Sequence, residues 1–78
     1  MGDSAETAHR NGWKVGTVLY GHPIVHDGQV VERGRLLKIT AIGESSVLGR
    51  GKFPDETRWW GEASWEFNSR KWEVYDRD

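Results

Sequence analysis

The sequence predicts an all-β fold, a small SH3-like barrel of about five antiparallel strands preceded by a flexible N-terminal arm. Three observations carry this expectation. Short runs rich in β-branched and aromatic residues recur at intervals of roughly 8–12 residues, separated by Gly-, Pro- or Asn-containing breaks. Nowhere do apolar residues recur at the three-then-four spacing of an amphipathic helix over a useful length. The chain has only 78 residues, which is room for one core and not for two.

A core of this size seldom supplies more than roughly 3–5 kcal/mol, and many small domains add a staple. This chain has no cysteine, so neither a disulfide framework nor a thiolate metal site is open to it. Its five tryptophans are the substitute, since a large aromatic ring buries roughly 150–250 Å². The formal charge is -1, which does not describe a chain built to lie on phosphate backbones or anionic lipid. From Trp13 to Gly43 the net charge is +2, and from Glu44 to Asp78 it is -2, an asymmetry too small to nominate a partner. No apolar run approaches the roughly 20 residues of a membrane span, and the N-terminus lacks the basic-then-apolar order of a secretory signal. A soluble cytoplasmic protein is the expectation.

Residues 1–12 are polar and small, without apolar periodicity, and are expected to form the flexible arm. Asp3, Ser4 or Thr7 offers a cap for a short helical turn through Ala5 and Ala8, but short helices are marginal on their own in water. Residues 13–78 form the single folded unit. A first strand spans Lys14 to Tyr20, entered through a turn near Gly16 and stopped at Gly21-His22-Pro23, where proline withholds a ladder donor. Ile24 to Gly34, with a turn signal at His26-Asp27-Gly28, reads either as a hairpin or as one long irregular loop, with a partly paired loop favoured.

The organising element is the hairpin from Arg35 to Lys52, reversed at Gly43-Glu44-Ser45. Alternation places Leu37, Ile39 and Ala41 toward the core and Lys38, Thr40 and Ile42 away from it. In the return strand either Val47 or Leu48 faces inward, and a slip of one residue would exchange the faces. Residues 49–61 read as a connection with an exposed bend at Pro54-Asp55-Glu56. Ala63, Trp65 and Phe67 then mark an inward face, Asn68-Ser69-Arg70 turns the chain, and Lys71 to Tyr75 form the last strand. Arg77 and Asp78 are expected in solvent.

Two stretches, Ile39 to Arg50 (ITAIGESSVLGR) and Ser64 to Trp72 (SWEFNSRKW), resemble a pattern in small uncharacterised bacteriophage proteins. There a strand ending in Ile-Gly-Glu leads to a Val-Leu-x-Arg strand, and a Ser-Trp strand precedes a terminal one containing Trp. With Val15 to Tyr20 the resemblance extends over roughly residues 14–75. It implies a phage-encoded accessory domain in the host cytoplasm, SH3-like in fold, and lends no activity residue by residue. His22 to Gly34 and the Trp59-Trp60 pair lie outside the pattern, so a specialised role is expected there.

His9, His22 and His26 are the candidates for metal or general-base chemistry. His22, His26 and Asp27 would bring two nitrogens and a carboxylate to one ion only on a helix, which Pro23 opposes. They read as solvent-exposed loop residues, and no metal site or cofactor is assigned. No Gly-x-Ser-x-Gly, cysteine nucleophile, phosphate-binding loop or dinucleotide fingerprint is present, so an enzyme is not expected. Gly49-Arg50-Gly51-Lys52 lacks the glycine spacing of a phosphate cradle and reads as a flexible strand end.

Arg58-Trp59-Trp60 is the most informative triplet. Neighbouring side chains on an extended chain point to opposite sides, so one indole is free to meet solvent or a partner while the other packs. With Arg50, Lys52 and Tyr20 these residues would form an aromatic and basic surface suited to peptides or bases. The bland alternative is that both rings cap an open barrel end.

The sequence therefore leads to a noncatalytic accessory protein that binds a host or viral protein through a sheet edge and the Trp59-Trp60 loop. One rival is nucleic-acid binding through Arg33, Arg35, Lys38, Arg50, Lys52 and Arg58. Another is sequestration of a nucleotide-like ligand, which requires a homodimer or larger assembly because so small a barrel is filled by its own side chains.

Overall fold

The structure, a computed structural model, describes residues 3–75. In chain order its elements are α1 (Ser4–Asn11), β1 (Val18–Gly21), β2 (Ile24–His26), β3 (Gln29–Glu32), β4 (Arg35–Ile42), β5 (Val47–Lys52), β6 (Ala63–Trp65) and β7 (Trp72–Val74). The expectation for Arg77 and Asp78 lies outside the described residues. β6, β5, β4, β1 and β7 form one antiparallel sheet in that order, and β2 and β3 form a separate two-stranded ribbon.

The sheet is antiparallel and five-stranded, but among the described residues no ladder joins its edge strands β6 and β7 into a barrel. Each edge strand has only three residues, which leaves few backbone groups for a closing ladder. In place of a ladder, the rings of Trp65 and Trp72 meet edge to face with centroids 6.1 Å apart.

The central hairpin forms where the sequence places it, and a β-bulge at Thr40 revises its inner face. Ile39 pairs with Gly49 but Ala41 pairs with Leu48, so β4 carries one residue more than β5 at that point. Leu37 and Ile39 accordingly point into the core, whereas Ala41 gives way to Ile42, which packs on the core opposite Val47. The same bulge decides β5: Val47 is buried and Leu48 lies on the other side. Leu19, Leu37, Ile39, Val47 and Ala8 make the core, with Trp13, Trp65, Phe67 and Trp72 packed around it. Ala63, expected inward, is exposed.

β5 owes its inner face to glycine. Trp65 donates its indole N–H to the Gly49 carbonyl at 3.1 Å, and a Cβ on Gly51 would stand 2.8 Å from the same ring. The Gly-Arg-Gly run is thus a seat for an indole and not a flexible strand end.

The expectation of a flexible arm is corrected. Residues 4–11 are helical and bury Ala5 and Ala8 completely, Ala8 within the main core. Tertiary packing supplies what propensity does not: two methyl groups one turn apart fit against the sheet where larger side chains would not. Ser4 Oγ accepts the Val47 N–H at 2.9 Å, and the Asp3 carboxylate caps the helix by accepting the Glu6 N–H at 2.7 Å. Asp3→Ala is therefore expected to cost about 1 kcal/mol in urea denaturation and to speed amide exchange across Ser4–Asn11. Unchanged exchange in that segment would show that the cap does not hold it.

Of the two readings for residues 24–34, the hairpin is the one that forms. Asp27 and Gly28 both adopt positive φ, 53° and 78°, as a two-residue turn between right-twisted strands requires. Val25, Val30 and Val31 on this ribbon are 58–61% exposed.

Candidate functional site

The pairing of β4 with its neighbours creates a second face, opposite the core, on which Val18, Tyr20, Leu36, Lys38, Arg50 and Lys52 stand side by side. Leu36 is only 5% exposed, because Trp59, Pro54 and Tyr75 lie around it. They leave a shallow cleft of about 100 Å³ above Leu36, also lined by Val18 and Lys52.

The two adjacent indoles part company, as an extended backbone demands. Trp59 lies on this outer face, its ring centroid 4.9 Å from Lys52 Nζ and 5.7 Å from Lys38 Nζ. Trp60 holds the connection to β5. Its N–H donates to the Gly51 carbonyl at 2.7 Å, its own carbonyl accepts from Arg50 Nε at 2.7 Å, and its indole N–H donates to Glu56 at 2.9 Å. The same Glu56 oxygen accepts the Phe53 N–H, and the Phe53 ring stands edge-on to Trp60 at 5.0 Å. This is the bend expected around Pro54-Asp55-Glu56.

Of the six residues singled out from the sequence, Trp59, Lys52 and Arg50 therefore come to one face. Tyr20 shares that face, with its ring turned toward His22 at 5.0 Å and its hydroxyl seated against Gly34. Arg58 is exposed beside Trp59 in the chain, and Trp60 sits on the inner side near Gly51. Sequence reasoning missed Leu36, Pro54 and Tyr75. An apolar Leu36 at an outward position of a well-patterned strand was the signal for a second apolar face.

Among the described residues, Lys38, Arg50, Lys52 and Arg58 have no ion-pair partner. The acidic side chains nearest in register are engaged: Glu62 accepts from the Thr40 hydroxyl, and Glu73 is paired with His22. His22 lies in the loop between β1 and β2 with its side chain 38% exposed, and that pairing ties it to β7. His26 does stand exposed, beside Asp27. Among the described residues no group of three His, Cys, Asp or Glu side chains is placed to hold a metal ion.

Arg33 and Arg35, taken from the sequence as possible phosphate contacts, belong to a structural cluster. Arg70, with a side chain only 6% exposed, bonds Glu32 and donates to the Arg33 carbonyl at 3.0 Å. Arg35 shares that Glu32 oxygen at 3.3 Å, and Arg33 pairs with Asp55 at 3.1 Å while lying 4.2 Å from the Phe53 ring centroid. Burial and then the neighbouring Arg70 pull the Arg35 pKa down, with Glu32 opposing them.

A larger polar hollow of about 270 Å³ lies between the start of α1, the β4–β5 turn and β6, lined by hydroxyls including Thr7, Ser46 and Ser64. The carboxylates of Asp3 and Glu66 line it as well. Among the described residues, no helix is long and apolar enough to cross a membrane.

Neither the curated proteins nor the solved structures compared with this chain gave a match. The model of a domain of unknown function, DUF7241, does match it, over residues 2–77. Spanning nearly all of the sequence, that match shows that the chain belongs to the DUF7241 family.

Proposed function

We propose that this protein is a noncatalytic binding module, a phage-encoded accessory domain that takes a host or viral protein on its outer sheet face with Trp59 as the anchor. The observation that carries the reading is the setting of Trp59, held across an open sheet face between Lys38 and Lys52 and beside a small cleft of mixed lining with Leu36 at its floor. An aromatic anchor beside a cleft, ringed by polar groups, is the composition of an interface centre. The strand edges add a second element. Lys71 and Tyr75 bond to β1 through the His22 N–H and the Val18 carbonyl, so alternation turns the Trp72 and Val74 backbone groups outward, as in edges that accept an added strand.

The phage assignment rests on the Ile-Gly-Glu, Val-Leu-x-Arg and Ser-Trp stretches. The strand order, with the last strand returning to pair with the first, supports an SH3-like rolled sheet. Such a protein would act in the cytoplasm of the host. A cleft of about 100 Å³ is smaller than the roughly 300–1,000 Å³ of small-molecule sites, which disfavours a nucleotide-like ligand beside Trp59 in a single copy.

Trp59→Ala and Trp60→Ala baits separate the two indoles. Trp59→Ala is expected to keep the parent circular dichroism spectrum and to weaken capture of the partner from host lysate roughly 30-fold, as for an interface anchor worth about 2 kcal/mol. Trp60→Ala is expected to lower the melting temperature. A folded Trp59→Ala protein that retains its partner at the parent affinity counts against the proposal.

A further inference from the structure

Resting on that protein-binding reading, we infer that the partner presents an acidic, extended segment whose carboxylates sit on Lys38, Arg50 and Lys52, with one apolar side chain in the cleft above Leu36. The outer face carries a local conflict. Lys38 and Arg50 are directly opposite each other on neighbouring antiparallel strands, and like charges so placed destabilise a sheet. Lys52 follows Arg50 on the same face of β5, and Trp59 bridges Lys38 and Lys52. Among the described residues none of the three cations has an acidic partner, and the register-adjacent Glu62 and Glu73 are held by Thr40 and His22. A carboxylate brought in from outside relieves the repulsion that the described residues leave standing.

The shape of the face narrows the partner further. The cleft is lined by Val18, Leu36, Pro54, Trp59 and Tyr75 together with the cation Lys52, and its small size suits one modest apolar side chain beside a carboxylate and not a ring system. Stacking of nucleic-acid bases needs an unobstructed aromatic face, whereas the Trp59 ring already has two ammonium groups within 6 Å of its centroid. The overall charge of -1 also disfavours a long polyanion, while a short acidic segment needs only the local cations.

The test is a set of nitrogen–proton correlation spectra on the full chain with three probes. They are a short peptide alternating Glu and Asp around a central leucine, its Gln and Asn counterpart, and oligothymidylate. The acidic peptide is expected to shift the amides of Lys38, Arg50 and Lys52 and the Trp59 indole. Raising salt tenfold shortens the screening length about threefold and is expected to weaken that binding at least tenfold. The Lys38→Gln, Lys52→Gln double variant is expected to lose the response while melting no lower than the parent, because it removes like charges. Equal shifts with the neutral peptide would overturn the acidic inference and leave the protein-binding reading intact. A response to oligothymidylate alone would overturn both. No response to any probe would overturn the inference and leave the wider reading to the Trp59→Ala bait.

Discussion

Gly49→Ala is expected to lower stability by about 3 kcal/mol, at the upper end of overpacking penalties, with a fall in melting temperature of roughly 12–24 °C. The new Cβ would lie 2.7 Å from the Lys38 carbonyl oxygen and 2.5 Å from Leu37 Cδ1. Leu37 is fully buried and has little room to turn away, and the carbonyl belongs to the paired strand, so relief requires the β4–β5 ladder itself to open. Gly61→Ala is the matched control, since nothing lies within 4 Å of a Cβ there, and a change below about 0.5 kcal/mol is expected. Thermal and urea unfolding of both variants measure the difference. Equal stabilities would show that the inner face is not packed as described.

The second large effect belongs to Arg70. Replacing it with methionine leaves the Arg33 carbonyl without its donor and removes the ion pair with Glu32, at an expected cost of about 2–3 kcal/mol. The range sits at the low end for buried pairs because Glu32 is half exposed and screened by water. Arg70→Lys is expected to recover little, since an ammonium cannot reproduce a fork that serves a carboxylate and a carbonyl at once. Glu32→Gln should also destabilise, because Arg35 and Arg70 then repel each other without a counter-charge. Adding Arg35→Met to Glu32→Gln should restore part of the loss, a coupling that a double-mutant cycle reads directly. Additive losses would mean that Glu32 and Arg35 do not interact.

These two sites also show where sequence reasoning reached its limit. The β4–β5 hairpin, the turn before β1 and the terminal Trp-bearing strand were legible because alternation and turn chemistry act over a few residues. The Thr40 bulge was not, since one extra residue leaves composition unchanged while reversing the faces of Ala41 and Ile42. The helix was offered by the caps at Asp3, Ser4 or Thr7 but not preferred, because its apolar contact consists of Ala5 and Ala8, which carry almost no periodic signal and become informative only against a sheet. Arg70 read as a turn residue because its partners lie 37 and 38 positions away. At the candidate site, the opposite directions of Trp59 and Trp60 followed from backbone geometry. Which of them met the cations depended on the pairing of Lys38, Arg50 and Lys52, which only the register supplies.

Among the described residues the β2–β3 ribbon shares a ladder with no other strand, while Arg70 fastens its base through Glu32 and the carbonyls of His22 and Arg33. Its tip at Asp27 and Gly28 contributes nothing to the core formed by Leu19, Leu37, Ile39 and Val47. A foreign epitope or a fluorophore spliced between those two residues would accordingly ride on the protein as a passenger, leaving both the tryptophan-lined interior and the cationic face as they are.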